Sequence, residues 1–366
     1  MSGSTYGQIF KISTWGESHG KGIGVVVDGC PAGLDISEAL IQVYLDRRKP
    51  GQSKYATPRK EGDKVQILSG AFQGKTTGTP ISMAVFNEDQ RSHDYSDIAT
   101  YYRPGHADYT FDQKYGFRDY RGGGRSSGRE TTGRVAAGAI AATILQELGI
   151  VVQTYTKSIG PISIQDEDIQ INLAKENPLC MPNLDAAKKA EEYLELQMEK
   201  KDSSGGVIEC IVKGVPAGIG EPVFDKLDAV LAKAIMSIGA IKGVEIGDGF
   251  LVANRSGSDN NDEFFYDEEG NLGKKSNHGG GILGGISDGS SIILRAAVKP
   301  TSSIARMQHT VNKQKENIGI EIPGRHDPII VPRAVVVVES MVAITLVDFL
   351  LMGMTSRLDK IKEFYK

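Results

Sequence analysis

The apolar residues of this 366-residue chain fall mostly into short runs, separated by glycine-rich or charged stretches. Short apolar runs bounded by turn residues are typical of β-strands. On this basis we predict strands at residues 8–13, 23–28, 65–69, 81–86, 150–156, 207–213 and 291–298.

Longer stretches with helical spacing predict helices at residues 37–48, 129–148, 184–200, 224–238 and 334–352. Ser37 is the expected N-cap of the first helix, and Pro50 helps to end it. Ser127 and Glu130 have the spacing of a capping box for the second helix. Strands and helices are mixed without regular βαβ alternation. The pattern therefore predicts an α+β fold, with antiparallel sheets packed on a helical layer.

One segment, residues 334–354, is apolar for long enough to cross a bilayer. It contains Glu339 and Asp348, and either charge would be costly at the centre of a membrane. We therefore predict a helix buried inside the protein, and we expect no membrane partner.

A short sequence occurs twice, as Val27-Asp28-Gly29-Cys30-Pro31-Ala32-Gly33-Leu34 and as Val212-Lys213-Gly214-Val215-Pro216-Ala217-Gly218-Ile219. Each copy follows a predicted strand and precedes a predicted helix. Gly-x-Pro-Ala-Gly is also a turn that can arise twice independently. The matching neighbours favour duplication. We thus expect one domain, residues 1–366, with pseudo-twofold lobes at about 1–183 and 184–366.

The charge and cysteine content exclude several classes of protein. The net charge is −4, whereas a general nucleic-acid binder usually carries a basic excess, so we expect no nucleic-acid partner. The three cysteines have no metal-type spacing, and their odd number suits a reducing compartment. The first residues lack the pattern of a signal peptide. We expect a cytoplasmic protein.

Two histidines lie in glycine-flanked loops: His19 in Gly16–Gly20, and His106 in Arg103–Asp108. Each could be an ordinary turn residue, but a loop histidine next to glycine is also accessible to a ligand. His278 opens another glycine-rich loop and could also touch a ligand.

Cations are clustered, although the chain is acidic. Arginines 118, 121, 125, 129 and 134 fall within one 17-residue stretch. A solvated basic face is the usual explanation of such a run. Arg125 and Arg129, however, flank Ser127 at a predicted helix N-terminus, where backbone donors, the helix dipole and guanidinium groups suit an anion.

Two further segments fit the same chemistry. Lys299-Pro300-Thr301-Ser302-Ser303 offers one cation and three hydroxyl groups directly after a strand. Gly324–Pro328 places Arg325 and Asp327 two positions apart, although an Asp-Pro turn is the simpler interpretation. No metal-binding motif is present in the sequence. The residues indicate an enzyme for a small polyanion that transfers protons.

Three of these stretches resemble the signature regions of the chorismate synthase family: GESHGKGIGVVVDGCP (16–31), RPGHADYTFDQKYGFRDYRGGGRSSGRETTGRVAAGA (103–139) and GRHDP (324–328). DRRKPGQSKY, GVPAGIGEPVFDKLDA, KGVEIGDGF, GGILGGISDG and KPTSS match in order between them. The resemblance therefore covers nearly the whole chain.

The resemblance implies a lyase that removes phosphate from 5-enolpyruvylshikimate 3-phosphate by anti-1,4 elimination. It implies a reduced FMN that lends electron density and recovers it, without net oxidation or reduction. By analogy, His19 would protonate the departing phosphate, and His106 would donate a proton at the reduced flavin. Asp327 would handle the proton at flavin N5.

The resemblance also implies which residues bind. The substrate would be held by Arg48, Lys54, Arg103, Arg129 and Arg325. FMN would contact Arg125, Ser126, Ser127, Gly239, Ala240, Gly284, Lys299, Pro300, Thr301, Ser302, Ser303 and Arg325. Relatives often have arginine where this chain has Lys54, which puts a bidentate contact there in doubt.

The family resemblance further implies a homotetramer and a β-α-β sandwich of antiparallel sheets around a helical core. Some relatives reduce their own flavin with NADPH and tend to carry insertions, so this compact chain is expected to lack that reductase activity. Two alternatives stay open: a flavin-dependent oxidoreductase acting on a phosphorylated small anion, and a non-catalytic anion- or nucleotide-binding protein.

Overall fold

The computed structural model describes residues 3–56, 62–87, 97–322 and 326–366. The strands in these residues are Thr5–Tyr6 (β1), Lys11–Gly16 (β2), Gly22–Asp28 (β3), Val65–Ile67 (β4), Ala71–Phe72 (β5), Lys75–Thr76 (β6), Ile81–Phe86 (β7), Val151–Ile159 (β8), Ile162–Ser163 (β9), Gly206–Lys213 (β10), Ile241–Ile246 (β11), Phe264–Tyr266 (β12), Leu272–Lys274 (β13), Ile282–Leu283 (β14), Ile286–Ser287 (β15), Ile292–Val298 (β16), Gln308–Val311 (β17) and Asn317–Ile320 (β18). The α-helices are Glu38–Arg48 (α1), Asp108–Tyr115 (α2), Thr131–Glu147 (α3), Leu184–Glu199 (α4), Leu227–Met236 (α5), Gly257–Asn260 (α6), Val331–Gly353 (α7) and Leu358–Phe364 (α8).

Two antiparallel five-stranded sheets organise the described residues. The first has the order β1-β2-β3-β7-β4, and the second has the order β11-β16-β10-β8-β9. Register in the first sheet places Trp15 opposite Gly24, and register in the second places Cys210 opposite Leu294. The remaining strands form two-stranded hairpins.

Helices α1 and α3 pack on the first sheet, α5 and α7 pack on the second, and α3 packs against α7. The approach of α3 to α7 is close at Gly138, where a Cβ would lie 2.2 Å from the Cβ of Ser340. The small residues of α3 permit this contact, because larger side chains would hold the helices apart. A mixture of helices and antiparallel sheets was predicted, and it is confirmed.

All seven predicted strands and all five predicted helices are present, with shifted boundaries. The first strand runs three residues later than predicted, at Lys11–Gly16. Ser37 caps α1, its Oγ accepting from the backbone N–H of Leu40 at 3.2 Å. The predicted capping box is wrong: Ser127 caps a short 3-10 turn, and the carboxylate of Glu130 binds Thr14 and Arg134 instead.

Helix α7 contains the membrane-length apolar segment. Its most apolar window is 83% buried inside the protein, which confirms the predicted interior helix. Both acidic residues have partners there. Glu339 accepts from the two terminal nitrogens of Arg47 at 2.9 and 2.5 Å. Asp348 accepts from the backbone N–H groups of residues 8, 9 and 10 at 2.8, 2.7 and 2.9 Å.

Candidate active site

A cavity of about 920 Å³ opens where α3 and α7 begin. Arg129 and Thr131 line it at the start of α3, and Ile330, Arg333 and Ala334 line it at the start of α7. Both helices therefore direct their N-termini at one space. The positive ends of their dipoles favour an anion there.

Seven cations line the cavity among the described residues, against four carboxylates. The cations are Arg48, Arg103, Arg118, Arg125, Arg129, Lys299 and Arg333, and the acids are Glu17, Asp108, Asp119 and Asp327. This excess of positive charge in a chain of net charge −4 suits ligands with several negative groups.

Arg48 and Arg129 share one buried carboxylate. Arg48 Nη2 lies 2.5 Å from Asp63 Oδ2, and Arg129 Nη1 lies 2.7 Å from Asp63 Oδ1. Burial alone would raise the pKa of Asp63, but the two guanidinium groups outweigh it and lower the pKa below its usual value. Asp63 is therefore ionised at neutral pH.

Asn87 joins Arg129 to the loop of His19. Its Oδ1 accepts from Arg129 Nε at 2.6 Å, and its Nδ2 donates to the carbonyls of Glu17 and Gly20 at 3.1 and 2.8 Å. These bonds fix the loop between β2 and β3 relative to the start of α3.

Arg103 is held by Asp108 at the N-terminus of α2. The Asp108 carboxylate accepts from Arg103 Nε and Nη2, both at 2.8 Å, and from the Arg103 backbone N–H at 3.0 Å. Arg118 approaches the same carboxylate at 2.6 Å. Burial would raise the pKa of Asp108, but the bonds and charge of Arg103, with Arg118, lower it overall.

The imidazole ring of His19 packs against Gly122, which has no Cβ. Its Nδ1 is 3.1 Å from the hydroxyl of buried Ser18. Gly122 covers the ring so closely that a Cβ at this position would lie 2.1 Å from Nδ1. Gly122 is thus required for the imidazole to keep this position.

His106 is neutral at neutral pH. Burial, followed by the charges of Arg103 and Lys299, lowers its pKa below the usual value. Its Nδ1 is 3.0 Å from the carbonyl oxygen of Pro104, which can only accept. Nδ1 therefore carries the proton, and Nε2 has a lone pair.

The segment 299–303 packs against the loop of His106. Lys299 Nζ lies 2.5 Å from Ser302 Oγ and 3.4 Å from the carbonyl of Gly105. A Cβ at Gly105 would lie 2.5 Å from Ser302 Oγ. Among the residues described, Lys299 contacts no carboxylate, so it keeps its charge for a ligand. Burial, with the charge of Lys242, lowers its pKa.

Asp327 is joined to the same segment and to α7. Its carbonyl accepts from Thr301 Oγ1 at 2.5 Å. Its carboxylate Oδ1 lies 3.1 Å from Arg333 Nη1, and Arg333 Nε donates to the carbonyl of Arg48 at 3.1 Å. Arg333 therefore ties the first turn of α7 to the end of α1.

The cavity brings together most residues singled out in the sequence. It is lined by His19, Arg48, Arg103, His106, Arg125, Ser126, Ser127, Arg129, Gly239, Ala240, Lys299, Pro300, Thr301, Ser302, Ser303 and Asp327. Arg325 lies outside the described residues. Two others do not line the cavity.

Lys54 is exposed and pairs with Glu195 at 2.5 Å; this hydrogen bond raises the pKa of Lys54. Gly284 lies in the turn between β14 and β15. His278 is also outside the lining, where its Nδ1 is 2.7 Å from Asp248 Oδ2.

Several site residues were missed in the sequence. Asp63 sits in an unremarkable charged loop, and Asn87 follows a strand without any motif. Arg333 gave a usable signal, because it is the one cation of a mostly apolar helix and lies in its first turn. A cation at that end opposes the helix dipole, which indicates a specific acidic partner.

The cavity suits a flavin by the chemistry of its lining. Cβ atoms built at Gly124, Gly128 and Gly239 would have nothing within 4 Å, so a ligand can approach the backbone closely there. Hydroxyl groups of Ser127 and of the segment 299–303 can donate to a phosphate, and Arg125 and Lys299 supply positive charge. The residues present therefore fit a flavin that carries a phosphate group.

Comparison with known proteins agrees with this site. A family model described as chorismate synthase matches residues 10–351. Chorismate synthase from Lachnoclostridium phytofermentans is 70% identical over 366 residues, covering all of both chains. Those from Lachnospira eligens and Agathobacter rectalis are 65% and 64% identical, again over all of both chains. A crystal structure of chorismate synthase is 33% identical, with a TM-score of 0.78 over 98% of this chain and 97% of that one. The chain belongs to the chorismate synthase family, a family of lyases.

Proposed function

We propose that this protein converts 5-enolpyruvylshikimate 3-phosphate into chorismate by anti-1,4 elimination of phosphate, with FMN bound in its reduced form. The observation that carries this proposal is the cavity at two helix N-termini, which is lined, among the described residues, by seven cations and two histidines. A substrate with one phosphate and two carboxylates, beside a cofactor with its own phosphate, requires such an excess of cations.

The substrate is assigned to Arg48, Arg103 and Arg129. Each is held in place by a buried carboxylate, Asp63 or Asp108, before a ligand arrives. Preorganised donors lose less conformational entropy on binding than mobile ones. The family resemblance also assigns Arg325 to the substrate, but this residue lies outside the described residues. The contacts of Lys54 and Gly284 stay predictions, without support from this cavity.

The FMN is assigned to Arg125, Ser126, Ser127, Gly239, Ala240 and Lys299 through Ser303. When bound in reduced form, it supplies electron density to the substrate and takes it back, so the reaction has no net redox change. Lys299 and the neighbouring hydroxyl groups would hold its phosphate, and the exposed backbone at Gly239 would leave room for the cofactor.

Three side chains hold and move protons. His106 keeps a lone pair on Nε2 and can take up and return a proton there, beside the flavin. An anionic ring next to it would raise its pKa and so favour the protonated form. His19 donates a proton to the departing phosphate. The carboxylate of Asp327, which Arg333 orients, would take up the proton from flavin N5.

The fold is proposed to be a β-α-β sandwich made of two duplicated lobes. Sheet order supports this, because β2-β3-β7-β4 of the first sheet corresponds to β8-β10-β16-β11 of the second, in chain order as well as in position. The edge strands differ, since β1 precedes β2 in the chain whereas β9 follows β8. The second lobe would then include β8 and begin before residue 151, earlier than the expected boundary near residue 184. Helices α1 and α3 of the first lobe then correspond to α5 and α7 of the second.

Hydrogen bonding at the repeated sequence gives independent support. In the first lobe, Thr76 Oγ1 donates to Pro31 O at 2.6 Å and accepts from Leu34 N at 3.0 Å. The Thr76 carbonyl also accepts from Gly33 N at 2.8 Å. Thr76 lies in the hairpin β5-β6. If the turn had arisen twice by chance, the second copy would not be expected to form the same hydrogen bonds with a hairpin.

The second lobe repeats this pattern bond for bond. Ser287 Oγ donates to Pro216 O at 2.6 Å and accepts from Ile219 N at 2.9 Å. The Ser287 carbonyl accepts from Gly218 N at 2.9 Å. In each lobe, an equivalent hydroxyl group from a short hairpin, β5-β6 or β14-β15, binds the repeated turn. This equivalence favours duplication over coincidence.

The remaining features are proposed from the family. The protein is a cytoplasmic homotetramer that acts on a small molecule, with no nucleic-acid or membrane partner. It receives its FMN already reduced, because this compact chain is similar to relatives that do not use NADPH as a reductant.

An anaerobic assay with chemically reduced FMN tests the function. We expect phosphate release and chorismate absorbance to continue for many turnovers on sub-stoichiometric reductant. A flavin-dependent oxidoreductase would instead consume one equivalent of reductant per turnover. Turnover that stops when the reductant is exhausted would therefore overturn the proposed reaction.

A further inference from the structure

We infer that Asp63 is a positioning residue, which sets the placement of Arg48 and Arg129 for the reaction. The inference rests on the proposed function of the cavity, and it assigns a role to a residue that itself does not line the cavity. Asp63 acts through the two arginines, which do.

The geometry is that of a shared carboxylate. The side chain of Asp63 is fully buried, and those of Arg48 and Arg129 are 2% and 6% exposed. Each carboxylate oxygen takes one guanidinium group, Oδ2 from Arg48 and Oδ1 from Arg129. The two arginines come from α1 and from the turn before α3, so the carboxylate joins separate parts of the chain.

The charges explain why this carboxylate matters. Two guanidinium groups in a buried space repel each other, and the repulsion is stronger there than in water. With Asp63 ionised, the three groups carry one net positive charge. Without it they would carry two, and the stronger repulsion would favour a change in the position of the arginines.

Other contacts leave Asp63 little freedom. Its φ of +46° lies in the left-handed region, which asparagine and aspartate tolerate better than most residues. The backbone N–H of Val65, two residues later, donates to Gln42 Oε1 of α1 at 3.2 Å. The loop of Asp63 is thereby fixed to the helix that carries Arg48.

Arg129 is held on a second side by Asn87. Asp63 and Asn87 together define the plane of this guanidinium group, because they take Nη1 and Nε respectively. A fixed plane matters for carboxylate and phosphate recognition, where both N–H bonds of a pair must be aligned.

The direct test is Asp63→Asn, which keeps the shape and removes the charge. The amide would turn a donor or a weaker acceptor toward the arginines, so we expect kcat/KM for 5-enolpyruvylshikimate 3-phosphate to fall about 10- to 100-fold. Affinity for oxidised FMN, measured by calorimetry, should change by less than about 2-fold, because its assigned ligands are elsewhere. An equal loss of kcat/KM and of FMN affinity in a folded variant would overturn the inference.

Two rival roles give opposite results. If Asp63 only reduced positive charge, Asp63→Asn would bind the anionic substrate more tightly. If it only stabilised the fold, the variant would have a lower Tm and a wild-type kcat/KM. Either outcome overturns the inference. Should Asp63→Asn not fold, Asp63→Glu decides: it keeps the charge but misplaces it, and kcat/KM must fall at an unchanged Tm.

A double-mutant cycle tests whether Asp63 acts through Arg129. Arg129→Lys removes the fork that Asp63 orients, so Asp63→Asn should have a clearly smaller effect in that background. Multiplicative effects of the two substitutions would contradict the inference. Asp35→Asn is the matched control. Exposed Asp35 forms an ion pair with Lys75, 2.8 Å long, and neither residue lines the cavity. This substitution should leave kcat/KM unchanged.

Binding of inorganic phosphate separates this inference from the proposed function. If wild-type protein bound phosphate but formed no chorismate, the proposed reaction alone would be wrong. Asp63→Asn must then still weaken phosphate binding by roughly tenfold, because two displaced guanidinium groups bind any oxyanion less well. Unchanged phosphate affinity in that variant would overturn the positioning role.

Discussion

Gly122 lies directly against the imidazole of His19, so that a Cβ at Gly122 would lie 2.1 Å from Nδ1 and 2.3 Å from Cε1 of that ring. Atoms this close must move apart. The backbone of the arginine-rich segment thereby sets the position of a histidine more than 100 residues earlier in the chain.

Gly122→Ala should therefore displace His19 from the cavity. We expect chorismate formation to fall by about 10²-fold, the loss typical of a misplaced proton-transfer group. Steady-state kinetics in the anaerobic assay measures this. Gly20→Ala is the matched control in the histidine loop, because a Cβ there would have its nearest neighbour, Glu17 O, at 3.6 Å. Equal losses in both variants would show that the loop, not the ring contact, is sensitive.

Removing either loop histidine should be as severe as misplacing one. We expect His19→Ala and His106→Ala each to lower turnover by about 10²-fold or more while the protein stays folded, because each loses a proton-transfer group. Turnover and thermal unfolding should be measured on the same preparations. Near-normal turnover in both variants would contradict the proposed roles.

The sequence predicted the two histidine loops and the arginine cluster because glycine, histidine and arginine leave a local pattern. It could not predict Asp63. Asp63 matters because the fold brings Arg48 and Arg129 to its carboxylate. The residues next to Asp63 in the sequence give no sign of these contacts. The same holds for Asn87, whose partners lie in the loop of His19 and at Arg129.

Secondary structure shows a similar division. The long apolar runs that became β3, β7, β10 and β16 were predicted, since burial on a sheet requires a continuous pattern. The hairpins β12-β13 and β14-β15 were missed, because their two- and three-residue strands are too short for a period to be visible. The apolar pattern of α7 was recognised, and Glu339 and Asp348 correctly argued for an interior helix with partners.

Asp348 gives a prediction for stability. Its carboxylate accepts three backbone N–H groups from residues 8–10 and is 6% exposed. Asp348→Asn removes the charge and places the amide NH₂ group next to backbone N–H groups, which are also donors. We therefore expect the free energy of unfolding to fall by about 2–4 kcal/mol. Denaturant unfolding measures it. Asp359→Asn on exposed α8 should change stability by less than about 0.5 kcal/mol.

The low pKa of His106 predicts how stability depends on pH. Because burial and nearby cations depress this pKa in the folded protein, the neutral ring favours folding above the unfolded pKa, about 6.5. That contribution is lost as pH falls through the folded pKa. His106→Gln should consequently lose less stability than the wild type between pH 7 and pH 5. Equal losses, by denaturant unfolding at both pH values, would show that His106 is not buried as a neutral ring.

Substrate and oxidised FMN should bind cooperatively, because their assigned cations adjoin. Arg125 donates to Thr14 Oγ1 at 2.7 Å, and Thr14 Oγ1 in turn donates to Glu130, the residue directly after Arg129. The first ligand offsets repulsion among the cations, fixes side chains that the second also uses, and supplies an apolar face for it. We expect each ligand to raise the affinity of the other by the same factor, typically about 5- to 150-fold.

Arg129→Ala should weaken substrate binding most and should also reduce this coupling, because Arg129 lies between the two proposed anion sites. We expect Arg59→Ala to have little effect on either quantity, but Arg59 lies outside the described residues. Arg357, exposed and paired with Asp359 on α8, is a suitable control, and Arg357→Ala should change neither quantity.

Added salt should reduce the coupling only modestly, since a partly enclosed cavity admits few counterions. Calorimetry of FMN binding with and without substrate measures the effect. If the two affinities were identical, the ligands would not share one cavity, and the assignment of Arg125 to FMN and Arg129 to substrate would be wrong.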